Sequence, residues 1–157
     1  MTDPKEMIVS KEDAVFWLDE NGRWRNAHGE FKHRKIINHF HTAIQRDDKG
    51  YYLCQTHGDV LEKVYFRYEE TALFVFEIIK GDPVSLVLNT RKKVPLVPGK
   101  LFTRDDALYM SLGEEIVRFT DKSLLALSPM LENVDDQLYI SLDNKRYKIN
   151  ELNEIKD

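Results

Sequence analysis

Residues 21–41, NGRWRNAHGEFKHRKIINHFH, are the stretch richest in side chains that could do chemistry, with four of the five histidines. His33 and His41 are eight residues apart, which on a helix is about 12 Å at 1.5 Å per residue and too far for one ion. His39 and His41 are two apart and leave a helix in opposite directions. Because no two of them have the i, i+4 spacing that brings imidazoles together, the pattern predicts an amphipathic helix without a metal site.

The cations of the same stretch indicate a different chemistry. The run KHRK, residues 32–35, falls at the predicted start of the first helix. There, free N–H groups and the macrodipole already favour an anion, so four basic residues are unfavourable for the helix itself. A phosphate or carboxylate ligand would offset that mismatch, and arginine could hold it with two hydrogen bonds. The alternative is that Glu30 and acids of the second half of the chain neutralise these cations.

Residues for covalent or acid–base catalysis lack a recognisable arrangement. None of the six serines lies in a Gly-x-Ser-x-Gly elbow, and the seven glycines are scattered singly, so we expect neither a nucleophile nor a bound cofactor. Adjacent acids on a strand face opposite ways and cannot act on one bond, and most of these pairs lie at predicted turns. The pairs of identical acids are Asp47-Asp48, Glu69-Glu70, Asp105-Asp106, Glu114-Glu115 and Asp135-Asp136.

Composition limits the class of protein. The 157 residues are 42% hydrophobic and 32% charged, as expected of a globular domain. The longest apolar run, residues 72–79, is too short to span a membrane, no basic-then-apolar leader opens the sequence, and the single Cys54 excludes an internal disulfide. We therefore expect a cytoplasmic protein that does not bind membranes. The net charge of −4 argues against a dedicated nucleic-acid binder.

The elements that would position these side chains can be placed from patterning. Asn21-Gly22 predicts a hairpin with a type I′ turn, and Asp143-Asn144 predicts another near the end of the sequence. A stripe at Ile37, Phe40 and Ile44 predicts a helix that ends near Gly50. Short β-prone runs fill the centre of the chain. Residues 91–100, RKKVPLVPGK, are predicted to be a linker because of their two prolines and four cations.

The second half of the sequence repeats the hydrophobic spacing of the first. Leu124, Leu127 and Leu131 have the spacing of the first helix stripe, at a lag of about 85 residues. This indicates a hairpin–helix–strand unit that is used twice. Pro129 lies inside the second helical pattern and is expected to kink or split that helix.

Four segments, WLDENGRW, IINHFHTAI, GYYLCQTHGDVLEKVYFRYEETALFV and LYMSLGEEIVRF, resemble the bacterial family catalogued as domain of unknown function 1285. The resemblance covers roughly residues 16–149, and its most specific part runs from Glu62 to Val75. It implies two similar α+β modules in tandem and a role in ligand sensing or signalling, with no established activity. It also directs attention to Glu69 and Glu70, which lie in the most similar segment.

The sequence thus predicts an α+β fold of two similar β-hairpin–helix–strand modules around antiparallel sheets. We assign residues 1–13 to an N-terminal tail, 14–94 to the first module, 95–150 to the second and 151–157 to a C-terminal tail. The expected function is non-enzymatic, regulatory binding of a small anionic ligand, or of a protein partner, in a cleft between the modules. The alternatives are an enzyme with Glu69 or Glu70 as its acid–base group and a weak RNA binder that uses the basic face. The predicted ligand-binding residues are Trp24, Arg34, Lys35, Arg67, Glu69 and Glu70.

Overall fold

The computed structural model describes residues 5–152, in which strands predominate and two α-helices are present. The chain divides into two compact units, Met1–Ala72 and Leu73–Asp157, called unit 1 and unit 2 below. Each unit combines antiparallel strands with one α-helix, which confirms the α+β class. No helix in residues 5–152 is long and apolar enough to cross a membrane.

Unit 1 contains a three-stranded sheet of order β2-β3-β4 and a four-stranded sheet of order β1-β7-β6-β5. All neighbours are antiparallel except β1 and β7, which are parallel. The elements are β1 (Lys5–Val9), β2 (Phe16–Leu18), β3 (Trp24–Asn26), β4 (Gly29–Glu30), α1 (Arg34–Thr42), β5 (Ile44–Asp47), β6 (Gly50–His57) and β7 (Val60–Tyr65).

The predicted hairpin at Asn21-Gly22 is present, but its turn is longer than the predicted type I′ turn. Leu18 pairs with Trp24, and the loop closes through Asp19, whose carboxylate accepts hydrogen bonds from the backbone N–H groups of Asn21 and Arg23 at 2.9 Å. Gly22 alone has a positive φ, 74°. An aspartate that binds its own following backbone favours this wider turn over the two-residue one.

Helix α1 ends at Thr42, earlier than the predicted end near Gly50. Ile44, which continues the helical stripe in the sequence, instead begins β5 and pairs with Leu53 of β6. Pairing with a neighbouring strand satisfies the backbone of residues 44–47, so it is favoured over another helical turn. Within the helix, Ile37 and Phe40 of the predicted stripe are half-buried, and His41 beside them is 3% exposed.

Aromatic side chains form the core of unit 1. The Trp24 indole is 1% exposed and lies 5.3 Å from the Phe40 ring and 4.9 Å from the Phe66 ring, both edge-to-face. Its Nε1–H donates to Nδ1 of His41 at 3.1 Å. A buried indole N–H needs an acceptor, and His41 supplies it from the helix. The histidine is therefore part of the core.

Unit 2 contains a nine-stranded sheet of order β10-β9-β8-β13-β12-β11-β16-β15-β14. Parallel pairs occur between β8 and β13 and between β11 and β16, and the other neighbours are antiparallel. The elements are β8 (Phe74–Ile79), β9 (Ser85–Leu88), β10 (Lys93–Pro95), β11 (Leu101–Arg104), β12 (Ala107–Leu112), β13 (Glu115–Phe119), α2 (Asp121–Leu127), β14 (Leu131–Val134), β15 (Gln137–Leu142) and β16 (Lys145–Glu151), with short 3₁₀ helices at Pro98–Lys100 and Ser128–Met130.

Three hairpins of unit 2 turn on a two-residue loop in which both residues have positive φ. Asp143 and Asn144 have φ of 50° and 63°, which confirms the predicted final hairpin. The same geometry occurs at the acidic pairs Asp105-Asp106 and Asp135-Asp136. Aspartate and asparagine tolerate this region better than most residues. These acids are therefore turn residues.

Helix α2 ends before Pro129, as the sequence predicts. Leu127 is its last residue, and Pro129 lies in the following 3₁₀ turn, where its missing N–H costs nothing. The start of the helix is capped by Thr120, whose Oγ1 accepts from the backbone N–H of Ser123 at 3.2 Å. The same hydroxyl donates to the carbonyl of Val75 at 3.0 Å, which ties the helix start to β8.

The unit boundary and the predicted tails and linker need correction. The division falls at Ala72/Leu73, not between residues 94 and 95, because β8 pairs with β13 and so joins the later strands. Residues 91–100 are not a linker, since β10 pairs with β9 and buries Val94. Within the predicted tail 1–13, residues 5–9 form β1. Within 151–157, Glu151 ends β16 and residues 153–157 lie outside the described part, as do residues 1–4.

Candidate functional site

A cavity of about 240 Å³ in unit 1 is the candidate site. Among the described residues, three lining side chains are cationic, four are aromatic, and none is a carboxylate. It is lined by Lys11, Lys49, Tyr51, Tyr65, Phe66, Arg67 and Tyr68. Of the predicted ligand-binding residues, Arg67 belongs to this lining.

Two neighbouring strands position most of this lining. Tyr51 lies at the start of β6, and Tyr65 ends β7, which pairs with it. The chain then continues through Phe66, Arg67 and Tyr68 beside the first hairpin. There, the backbone N–H of Leu18 donates to the carbonyl of Arg67 at 3.0 Å.

The aromatic walls are held by ring contacts. The Tyr68 ring lies 5.0 Å from the Tyr51 ring and 5.9 Å from the Phe66 ring, with interplanar angles of 83° and 67°. Edge-to-face pairs of this kind add to the burial of the rings. The absence of a side chain at Gly50 makes room for Tyr68, because a Cβ there would lie 3.0 Å from the tyrosine hydroxyl. The wall is therefore rigid on this side.

The cations of the lining have no carboxylate partner in the part of the chain that the structure describes. Among residues 5–152, neither Lys11, Lys49 nor Arg67 forms an ion pair with a carboxylate. The Arg67 guanidinium instead lies 5.2 Å from the centroid of the Trp17 ring. A cation over an aromatic face keeps its hydrogen-bond donors available at its edge. The cavity therefore has a positive lining that can accept an anion.

Beside the cavity, the cation Lys63 is neutralised by a carboxylate of the chain. Nζ of Lys63 donates to Oδ2 of Asp47 at 2.5 Å, and the Tyr65 hydroxyl donates to the same oxygen at 2.6 Å. The hydrogen bond from Lys63, helped by that from Tyr65, lowers the pKa of Asp47 to about 2. The bond to Asp47 in turn raises the pKa of Lys63 and that of Tyr65. Asp47 therefore fixes Tyr65, one wall of the cavity, without facing the ligand space.

The other predicted contacts lie elsewhere in unit 1. Arg34 and Lys35 are exposed in the first turn of α1, and His33 before them makes no side-chain capping hydrogen bond. The carboxylate of Glu30 pairs with Arg23 at 3.6 Å, so it is not the neutraliser of the helix start. Trp24 is buried and committed to His41. It therefore supports the fold and presents no open wall to a ligand.

Glu69 and Glu70 follow the cavity segment directly but do not line it. Both side chains are exposed, and the backbone turns sharply there, with a φ of 60° at Glu70 and a 2.6 Å bond from the N–H of Thr71 to the carbonyl of Glu69. The two carboxylates therefore lie outside the candidate cavity.

Sequence reasoning missed most of the cavity lining. Lys11 and Lys49 are isolated lysines in loops, and nothing in their spacing relates them to Arg67. The tyrosines carried a usable signal, because Tyr65 and Tyr68 come from the aromatic-rich run VYFRY that precedes the unusual turn. A basic residue inside an aromatic run is a pattern that indicates a ligand wall as readily as a strand.

The fold is that of an α+β protein with known structural relatives. A DUF1285 family protein from Silicibacter pomeroyi is similar with a TM-score of 0.60 and 14% identity, over 93% of this chain and 82% of that one. A DUF1285 family protein from Shewanella baltica is similar with a TM-score of 0.51 and 12% identity, over 73% of this chain and 91% of that one. At these identities the likeness shows a shared fold, which agrees with the resemblance seen in the sequence. No protein-family model matches the sequence, and no curated protein matches it.

Proposed function

We propose that this protein is a cytoplasmic, non-enzymatic binding module that holds a small anionic ligand in the cavity of unit 1 and has a regulatory role. The observation that carries the proposal is the set of three cations, without carboxylate partners among the described residues, around an aromatic cavity. Arg67 offers a planar fork of donors, and Lys11 and Lys49 add mobile charge.

The size and walls of the cavity suggest the kind of anion. At about 240 Å³ the cavity lies just below the usual range for drug-sized ligands, so a compact molecule fits it best. Rings from Tyr51, Phe66 and Tyr68 favour a ligand with a planar apolar part next to its charge. A phosphate or carboxylate attached to a single ring has both features.

Isothermal titration calorimetry with phenyl phosphate and inorganic phosphate tests the proposal. Phenyl phosphate is expected to bind more tightly, because only it uses the aromatic walls. Arg67→Ala and Lys49→Ala are each expected to weaken it about tenfold, the loss of one charge-assisted contact. Binding should weaken as salt rises, since the attraction is electrostatic.

Matched variants separate this cavity from the start of α1. Arg34→Ala and Lys35→Ala remove exposed cations that do not line the cavity, so they are expected to leave binding unchanged. Loss of binding in these two variants, with Arg67→Ala unaffected, would move the site to the helix start that the sequence predicts. No binding of either phosphate would reject the anion function.

The order of elements further supports the proposal that the two units are similar modules. In unit 1, three antiparallel strands, α1 and three more antiparallel strands follow one another. In unit 2 the same order runs from β11 through α2 to β16. Residue Arg34 begins α1 and Asp121 begins α2, a lag close to that of the hydrophobic repeat. The units differ in that a parallel pair, β11 with β16, joins the two halves of unit 2 into one sheet.

A further inference from the structure

A second cavity, in unit 2, has the opposite character. Its volume is about 270 Å³, and its lining is apolar apart from one hydroxyl and two carboxylates. It is lined by Thr103, Asp106, Ala107, Leu108, Leu124, Leu131, Leu138 and Glu151. The four leucines come from four different elements, β12, α2, β14 and β15, so the cavity is a feature of the folded unit.

Strand register explains why an acid stands at the end of an apolar wall. Thr103 of β11 is directly opposite Leu108 of β12 on one side and Glu151 of β16 on the other. Residues opposite one another in a sheet project from the same face, so these three side chains form a row. Ile149, two residues before Glu151, is buried on that face. Along β16, this face of the sheet is therefore apolar in the core, at Ile149, and acidic at the cavity, at Glu151.

The second carboxylate is held in place by a turn. Asp106 is the second residue of the β11–β12 hairpin turn and has a φ of 65°. Neither Asp106 nor Glu151 forms an ion pair among residues 5–152, and no basic side chain lines the cavity. The rim is therefore negative, and no cation of the described residues neutralises it.

The apolar wall is only partly protected from water. Leu124, Leu131 and Leu138 are half-buried, in contrast to Leu127 of the same helix, which is fully buried. Apolar surface in a concave site gains most from a ligand that displaces its water. The volume corresponds to about nine water-sized groups at roughly 30 Å³ each, the size of a single ring with a short side chain.

We propose that the unit 2 cavity binds a small organic ammonium ion, with its apolar body against the four leucines and its ammonium group at Asp106 and Glu151. An ammonium with an alkyl or aryl body matches both halves of the lining, whereas a hard metal ion would match the carboxylates alone. The Thr103 hydroxyl lines the same cavity and can accept a further N–H. The site lies wholly in unit 2, so it does not depend on the anion site of unit 1.

Three probes with one apolar body test the inference by calorimetry on the full chain: phenethylamine, 2-phenylethanol and 3-phenylpropionate. We expect the amine to bind about five- to tenfold more tightly than the alcohol, because exposed carboxylates attract a cation modestly. The propionate is expected to bind most weakly. Equal affinity of the three probes, or no binding of any, would overturn the proposal.

A double variant isolates the charge. Asp106→Asn/Glu151→Gln keeps the shape of the rim, and asparagine tolerates the positive φ of residue 106. It is expected to remove the preference for amine over alcohol and to leave alcohol binding unchanged. Asp135→Asn/Asp136→Asn, which alters a similar positive-φ turn whose residues do not line the cavity, should retain the preference. Retention of the preference in the first variant would place the amine elsewhere.

Discussion

Asp47 shows how one carboxylate can shape a cavity that it does not line. It accepts from Lys63 and from Tyr65 through the same oxygen, and its other oxygen accepts from the backbone N–H of Lys49. It therefore holds a cavity wall, Tyr65, and turns the chain at a cavity cation, Lys49. The charge of Lys63 is neutralised by Asp47, whereas Arg67 forms no ion pair with a carboxylate of the described residues. The difference between a structural and a ligand-binding cation here is the presence of a carboxylate within hydrogen-bond distance.

The lowered pKa of Asp47 gives the first prediction, a loss of stability in acid. The pKa of this group falls from 3.8 to about 2 on folding, so its stabilising effect is complete above pH 4 and is lost as the pH falls toward 2. Asp47→Asn is expected to lower the melting temperature at pH 7. The difference from the wild type should shrink between pH 4 and pH 2, measured by thermal unfolding in a pH series.

The neighbouring exposed acid provides the control for this prediction. Asp48→Asn changes the same formal charge without removing the hydrogen bonds to Lys63 and Tyr65. Its difference from the wild type is expected to be small at every pH. A destabilisation of Asp47→Asn that stays constant down to pH 2 would show that packing, and not ionisation, is the cause.

At the scale of elements, the sequence predicted the helix ends and turns that depend on single residues. It did not predict the boundaries that depend on pairing between distant strands. The end of α2 before Pro129 and the turn at Asp143-Asn144 follow from backbone constraints of single residues, and both were predictable. The end of α1 was not, because Ile44 fits a helical stripe equally well until β6 is available as a partner. The prediction of a linker at residues 91–100 was wrong for the same reason. The prolines are typical of a linker, but the pairing of β10 with β9 makes part of this segment a strand and buries Val94.

The β5–β6 hairpin gives an element-scale prediction at Gly50. Its φ of 122° lies in a region that L side chains rarely adopt, and an added Cβ would meet the Tyr68 hydroxyl at 3.0 Å. Gly50→Ala is expected to destabilise unit 1 by about 1–3 kcal/mol in chemical denaturation. Because Tyr68 must move, phenyl phosphate binding should weaken as well.

A second glycine of unit 1 allows the effect of backbone strain to be distinguished from that of the contact with Tyr68. Gly58 in the β6–β7 turn also has a positive φ, 58°, but an added Cβ would meet nothing within 4 Å. Gly58→Ala should therefore cost less, about 1 kcal/mol, the penalty of the left-handed region alone. It should also leave ligand binding intact. Equal effects of the two substitutions on binding would contradict the role of Gly50 in making room for Tyr68.

For the whole molecule, the sequence predicted the class of fold but not where the chain divides. The hydrophobic repeat predicts two similar modules in tandem but gives no place to the strands β8 to β10, which precede β11 in unit 2. Long-range parallel pairing assigns them to unit 2, and a pairing between β8 and β13 leaves no mark in local sequence. The binding residues were hard to predict for a related reason. Lys11, Lys49 and Arg67 meet only after three segments have folded together.

Fragments test the division of the chain. A fragment of residues 73–157 retains the whole nine-stranded sheet and its core, and it is expected to unfold cooperatively by circular dichroism. A fragment of residues 95–157, cut at the boundary that the sequence suggests, lacks β8 to β10. It would expose the β13 edge and lose the buried side chains of Phe74, Val75 and Leu86. We expect that fragment to aggregate or to show no cooperative transition, because removing a central strand costs more than a small domain's net stability. Cooperative unfolding of 95–157 at the midpoint of 73–157 would show that the strands β8 to β10 are dispensable. The boundary between the units would then lie at the end of β10.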